Sequence, residues 1–571
     1  MNEIRSNQYI LGIWDGHDSG AAIVKDDQII FAINEERLSR RKLEIRFPKA
    51  SIRACLEYVG VTPEDITEIA ISTSDFAKTL TRVLPNLKEQ YYLIRRRKKE
   101  SQKFMGIKKF FKYRLTEIEP SLFTKFISKT NIKKELKKLG FKKFNLYFQD
   151  HHLCHAAAAA FCSGFSESLA ISLDGVGDGL SGTINSFKNG VFSEIKKIRA
   201  NRSFGIFFEH VTNLMNMREL EDEGKVMALA NYAYPIADSE NPLLLLIEID
   251  GLEVKTKYSS TKMFRELRKI LWRYPSEQFA YMAQRTLEVK IIELLKNAIK
   301  AANLRKIALA GGVASNIKVN MLIRELPEVE DIFIFPHMGD GGLAIGAALL
   351  QNYYSNNISA YNFSTTALGP EYKPEQVLKL LEETKIKFEY VENMSQKAAE
   401  LIADGNIVLW FQDRMEFGPR AMGCRSILAR SDSLTVKDAL NLSLKKRVWY
   451  QPFCPSLLLD DAKEIFTELK GTPDKFMTSA YRVKPGKRAI MEGVINIDCT
   501  CRPQILDNSD SLYNKLLVNI KKLTGHGVVL NTSFNMHGEP LVCSPEDAIK
   551  TFKEMKCKYL IIDHYLISGD N

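Results

Sequence analysis

One pattern limits what this chain can fold into more than any other: a strand, an Asp-Gly turn and two further strands occur twice. Residues 9–14 read as a buried strand, Asp15-Gly16-His17-Asp18-Ser19-Gly20 as a turn, and residues 21–24 and 29–33 as two more strands. The plan returns at 169–173, at Asp174-Gly175-Val176-Gly177-Asp178-Gly179, and at 182–187 and 191–195. Such a duplication is the architecture of twin α/β lobes that clamp a nucleotide and its metal. Each turn offers backbone N–H groups to phosphate oxygens and a carboxylate to the ion.

A metal clip lies between the repeats. His151 and His155 open a run of five alanines, and residues four apart share one face of a helix, so both imidazoles can reach one divalent ion. Asp150 stands at the N-cap position. Two later strand-to-helix turns point the same way. Residues 306–309 enter Ala310-Gly311-Gly312-Val313-Ala314-Ser315-Asn316, where the glycines let a flat ring or phosphate approach the backbone. Residues 332–335 enter Pro336-His337-Met338-Gly339-Asp340-Gly341-Gly342, which makes Asp340 the natural third ligand.

Length and charge bound the rest. At 571 residues the chain exceeds one core, and two domains are expected, 1–360 and 368–571, with the polar stretch 352–366 as linker. No apolar run approaches the ~20 residues of a bilayer span, and the first eight residues lack the core of a secretory signal. A cytoplasmic protein is expected, with a peripheral place at the inner membrane surface as the alternative. Nine cysteines at unrelated spacings fit reduced thiols. The net charge of +11 is concentrated: residues 95–114 hold ten Lys or Arg and one Glu. With Phe104, Ile107, Phe110 and Phe111 between the lysines, this segment reads as a basic amphipathic helix, either a solvated face or a contact for an anionic glycan or membrane surface. No nucleic-acid partner is expected; an oligomer is allowed.

Taken together, Gly-His-Asp-Ser (16–19), Glu35-Glu36-Arg37, Asp150-His151-His152-Leu153, Gly224-Lys225-Val226-Met227 and Gly339-Asp340-Gly341-Gly342 resemble the O-carbamoyltransferase family of the NodU/CmcH/TobZ type. The resemblance covers nearly the whole chain, interrupted by an insertion at about 76–145. It implies a duplicated actin-like (ASKHA) N-terminal domain similar to the TsaD-type threonylcarbamoyl-transfer ATPases, and a YrdC-like C-terminal α/β domain. It further implies ATP as co-substrate, carbamoyl phosphate as donor, and a divalent metal, Fe2+ with Mg2+ as alternative. The acceptor is expected to be a hydroxyl of a sugar or natural product.

The resemblance also assigns roles. His17 would deprotonate the acceptor, with Asp15 and Lys42 for orientation and charge. Asp174, Gly175, Gly311, Gly312, Asn316 and Lys225 would contact nucleotide, and His151, His155 and Asp340 the ion. In the C-terminal third, Arg414, Glu416, Arg420 and Arg425 surround a Gly-Pro turn, and Arg502, Gln451, Ser533, Asn535 and His537 complete a set suited to a small doubly anionic donor. Gln451 and His537 stand where relatives carry arginine. Two rival readings remain at this point: a threonylcarbamoyl-type tRNA modifier, and a nucleotide-binding module anchored by the basic helix.

Overall fold

The computed structural model describes residues 8–100, 114–445, 447–507 and 509–569. They divide into two compact units, one within Met1–Glu35 and Leu43–Phe363 and the other within Glu36–Lys42 and Ser364–Asn571. The short excursion at 36–42 was not foreseen from the sequence.

In the first unit the expected duplication is explicit. Strands β1 (Tyr9–Trp14), β2 (Gly20–Lys25), β3 (Gln28–Asn34), β4 (Glu68–Ser72) and β5 (Asn145–Gln149) form a sheet in the order β3-β2-β1-β4-β5. After it come β6 (Glu167–Gly177), β7 (Leu180–Lys188), β8 (Val191–Arg199), a small hairpin β9 (Ile247–Asp250) and β10 (Glu253–Thr256), then β11 (Lys306–Ala310) and β12 (Asp331–Ile334). The second sheet runs β12-β11-β6-β7-β8, the same order read in reverse. In both, the first three strands pair antiparallel and the last two join in parallel. Buried apolar strands explain the pairing: β1 has five buried residues of six, as expected for strands covered on both faces.

Two helices carry the site. His151–Cys162 is capped by Asp150, whose side chain accepts from the Leu153 N–H at 2.7 Å. Its alanines and the small residues of Leu343–Asn356 permit close approach; a Cβ on Gly346 would lie 2.3 Å from the Cys154 carbonyl oxygen. The insertion between β4 and β5 is helical, with Phe76–Val83, Pro85–Arg95 and Leu122–Lys138. Residues 101–113, which include Phe104, Ile107, Phe110 and Phe111 of the expected apolar stripe, lie outside the described residues.

The second unit is built on one mixed sheet. Its strands are β13 (Phe388–Tyr390), β14 (Val408–Phe411), β15 (Arg425–Arg430), β16 (Cys454–Leu458), β19 (Gln504–Leu506), β20 (Val528–Ser533), β21 (Tyr559–Ile562) and β22 (Tyr565–Ser568). The order is β13-β22-β21-β14-β15-β20-β16-β19, while β17 (Tyr481–Arg482) and β18 (Thr500–Cys501) pair separately. No helix among the described residues is long and apolar enough to cross a membrane.

Candidate active site

The first unit gathers His151, His155, Asp174 and Asp340, one ligand atom from each, all within 4.8 Å of one another. The duplication explains the convergence: Asp174 lies in β6 and Asp340 at the turn after β12, both on the lobe that the His151–Cys162 helix covers. His151 Nε2 is 3.2 Å from Asp174 Oδ2 and 3.7 Å from Asp340 Oδ1; His155 Nε2 is 4.0 and 3.7 Å from the same atoms. Most of these separations are too long for hydrogen bonds and suit ligands of one ion, since metal bonds of about 2.0–2.2 Å hold neighbouring donors roughly 3–3.5 Å apart. His155 Nε2 is a buried atom with no hydrogen-bond partner, which fits a metal-facing nitrogen. Asp174, expected at the nucleotide, stands with these three in a group that could hold an ion; its other oxygen accepts from the Gly312 N–H at 2.7 Å.

Electrostatics follow from the crowding. Burial opposes the charged form of His151, but the Asp174 hydrogen bond and the Asp340 charge outweigh it and push the ring up to about 9. His155, desolvated and beside charged His151, falls to about 3. Burial raises Asp340 to about 6, against the pull of His17. Removing water from carboxylates and imidazoles at this spacing leaves a group whose charges are best settled by a cation.

His17 stands beside the cluster. Its Nδ1 is 3.4 Å from Asp340 Oδ2, its side chain is 24% exposed, and the Tyr92 ring centroid lies 5.6 Å away. It is the most exposed residue of the group, although the surrounding protein still desolvates its ring. Burial holds its pKa below the ordinary value. Trp14 fixes the turn by donating its indole N–H to the His17 carbonyl at 2.8 Å.

Asp15 is turned away from acid–base work. Arg82 grips both its oxygens, Nε at 2.8 Å and Nη2 at 2.9 Å, Lys78 Nζ lies at 3.1 Å, and Lys88 donates to its backbone carbonyl. These cations overcome the burial that would raise it and hold the carboxyl far below the usual range. All three come from the insertion, which the sequence presented as a separate basic element. Lys42 belongs to the 36–42 segment of the second unit, where its charge bears on Lys445. Arg95 and Arg96, expected on a solvated basic face, are buried in ion pairs, Arg95 with Glu209 and with Glu219 at 2.6 Å, Arg96 with Glu221 at 2.5 Å.

Of the remaining nucleotide candidates, Gly175 has open space at its Cβ position. Gly311 is a glycine for packing: φ is +94° and a Cβ would sit 2.2 Å from the Leu173 carbonyl oxygen. Asn316 is spent as a helix cap, accepting from the Val319 N–H at 3.2 Å, and exchanges amide hydrogen bonds with Gln284. Lys225 pairs with Asp222 at 2.8 Å.

In the second unit the donor candidates separate into two kinds. Arg414, Glu416 and Arg425 hold the chain itself. Arg414 donates to the Leu368 and Gly369 carbonyls at 2.7 and 3.1 Å. One Glu416 oxygen accepts from the Met422, Cys424 and Arg425 N–H groups at 2.8–2.9 Å. Arg425 is fully buried, donates to the Gln412, Asp413 and Cys424 carbonyls, and lies 3.5 Å over the Phe411 ring. Arg414 and Arg425 thus tie the chain through these bonds, while Arg425 Nε and Nη2 remain buried donors without a hydrogen-bond partner.

Arg420 and Arg502 form the other kind, and Arg447, which sequence reasoning missed, joins them. Burial and the charge of Arg502 depress Arg420 to about 9, and burial takes Arg447 to about 10. Lys445, also missed and fully buried, donates to the Ser533 carbonyl and to Asn535 O and Oδ1, both at 2.8 Å. Ser533 and Asn535 thus anchor a lysine. Gln451 Oε1 is a buried atom without a hydrogen-bond partner, and His537 is exposed at its turn. The basic run 445–447 was the available signal for the two missed cations.

Comparison with known proteins agrees with this division. Residues 9–349 match the carbamoyltransferase N-terminus and residues 399–569 the carbamoyltransferase C-terminus. An uncharacterized protein of Methanocaldococcus jannaschii is 33% identical over 98% of this chain and 99% of its own length. Nodulation protein NolNO of Sinorhizobium fredii is 31% identical over 99% of this chain and 81% of its own. Among solved structures, T. kodakarensis HypF matches 62% of this chain and 48% of its own at 15% identity, with a TM-score of 0.35. The chain belongs to the carbamoyltransferase family. It is a carbamoyltransferase enzyme, so the reading as a non-catalytic binding module is set aside.

Proposed function

We propose that this enzyme transfers a carbamoyl group from carbamoyl phosphate to a hydroxyl of a sugar or natural product, using ATP and a divalent metal. The observation that carries the reading is the convergence of His151, His155, Asp174 and Asp340, with His17 as their more exposed neighbour. Two imidazoles and two carboxylates suit a borderline divalent ion such as Fe2+. Bound there, the ion would supply positive charge for phosphate oxygens.

In this reading the second unit, the YrdC-like domain of the resemblance, activates the donor. Arg420, Arg447 and Arg502 neutralise carbamoyl phosphate while water cleaves it to carbamate and phosphate; a carbamate oxygen then bonds to the α-phosphorus of ATP, the bond to pyrophosphate breaks, and carbamoyl adenylate results. The twin lobes of the first unit, the actin-like part, take the adenylate. The acceptor oxygen forms a bond to the carbamoyl carbon, the carbon–oxygen bond to AMP breaks, and His17 takes the hydroxyl proton. With Nδ1–H toward Asp340, the His17 Nε2 carries the lone pair for this step, and its lowered pKa keeps the ring neutral near pH 7.

The test is turnover of the full chain with carbamoyl phosphate, ATP, Mg2+ and Fe2+ against a panel of hydroxylated acceptors. AMP release that requires both carbamoyl phosphate and an acceptor, with a product 43 mass units heavier in roughly the ratio one carbamoyl per AMP, supports the reading. ATP consumption indifferent to carbamoyl phosphate overturns it.

A further inference from the structure

Cys454 opens β16 and is 8% exposed. Arg502 turns one whole edge of its guanidinium onto the sulfur, Nε at 3.2 Å and Nη2 at 3.0 Å. Strand register dictates the meeting: β16 and β19 run parallel with Ser456 opposite Gln504, so Cys454 and Arg502 stand two residues upstream of that pair. A guanidinium edge is shaped for two oxygens of a carboxylate or phosphate; here one sulfur takes both donors. The charges of Arg420 and Arg447 bear on the same sulfur. Arg420 Nε is a buried donor with no hydrogen-bond partner, a second and independent mark of an anion site.

We infer that Cys454 is an internal competitor for Arg502, so that binding of a phosphate-type anion and chemical modification of this thiol exclude one another. The inference rests on the reading of Arg420, Arg447 and Arg502 as the donor site. It assigns Cys454 as a modification site for soft electrophiles. With iodoacetamide the sulfur forms a bond to the methylene carbon, iodide leaves and the thiol proton passes to solvent. The added carboxamide then displaces the Arg502 guanidinium from the sulfur and occupies its place.

The experiment measures inorganic phosphate binding by calorimetry on the full chain, as wild type, as Cys454→Ala, and as wild type after iodoacetamide, with the label located by peptide mass spectrometry. Removing a competing hydrogen-bond acceptor is expected to tighten phosphate binding in Cys454→Ala by about fivefold. Alkylation is expected to weaken it by about tenfold or more, and phosphate is expected to slow labelling of Cys454 while leaving unaffected Cys499, a half-buried free thiol just before the strand Thr500–Cys501. Should Cys454→Ala fold poorly, the alkylation and protection measurements on wild type decide alone. Phosphate affinity indifferent to alkylation, or Cys454 labelling indifferent to phosphate, overturns the inference. If phosphate binding depends on Arg420 and Arg447 but ignores Cys454, the donor site stands and only the inference falls. If wild type binds no phosphate, both fall.

Discussion

The two units bury charge in opposite ways. In the first, two carboxylates and two imidazoles face one another; in the second, the charges of Arg420, Arg447 and Arg502 bear on one another. A few residues from the first cluster, Asp15 is also buried, yet Arg82, Lys78 and Lys88 surround it. The contrast separates charge that the fold compensates from charge that it leaves for a ligand. Asp15 is finished by the chain; the His–Asp cluster calls for a cation and the arginine cluster for an anion.

The largest expected effect breaks the first cluster. His155→Ala should reduce bound divalent metal to background by elemental analysis and lower carbamoyl transfer by at least about 100-fold, since even outer-shell losses at metal sites cost 10–100-fold. ATP–pyrophosphate exchange driven by carbamoyl phosphate should change little. Full metal occupancy in this variant would sink the ligand assignment. The mirror experiment is Arg420→Ala. Losing one charge-assisted contact to phosphate, worth about 1.5–3 kcal/mol, should raise the KM for carbamoyl phosphate roughly 10- to 150-fold and leave metal content unchanged. Equal damage to metal content would show that the two clusters are not separate devices.

A third prediction addresses compensation itself. Arg82→Met leaves Asp15 with Lys78 alone for its side chain, and removal of one partner from a buried pair costs about 3 kcal/mol or more. Asp15 is held below its ordinary carboxyl range, so the pair stabilises the fold above about pH 4 and loses that contribution as pH falls further. Urea unfolding should therefore show a large difference between wild type and variant at pH 7 that shrinks below pH 4. A difference independent of pH would show that Arg82 acts by packing alone.

Much of the first unit was legible in the sequence because its signals are local. Strand, Asp-Gly turn and strand recur within short windows, and the His151/His155 pair needs only helical spacing. The repeat accounts for the order that the two sheets share, though not for the order itself. What stayed hidden depends on long-range placement. Lys78 and Arg82 look like ordinary surface residues of an amphipathic helix, and only the return of that helix onto the Asp15 turn reveals their partner. Arg425 and Glu416 show the converse. A dense run of arginine and glycine reads as a ligand loop, whereas Arg425 Nη1 and one Glu416 oxygen are taken up by backbone carbonyls and N–H groups, with Arg425 Nε and Nη2 left without partners. Residue type alone cannot distinguish an arginine that binds an anion from one that ties a loop, because both tasks use the same donors.

The smallest effect concerns Glu223, where charge is relieved by neither chain nor ligand. Desolvation pushes its carboxyl up to about 8, with Glu209 adding to the rise and Arg95 too weak to reverse it. Its Oε1 accepts from the Leu220 N–H at 2.8 Å, a contact that a neutral carboxyl keeps and an amide can reproduce. The folded pKa lies above the ordinary 4.5, so the protonated form is favoured in the native state. Relative stability is full below about pH 4.5 and is lost as pH rises through 8. Glu223→Gln fixes the neutral form and should match wild type near pH 4, then become the more stable of the two as pH rises through 8. Urea unfolding at the two pH values decides it. A variant less stable than wild type at pH 9 would mean that Glu223 is ionised and paired there, which would move it from the protonated solution to the compensated class that Asp15 represents.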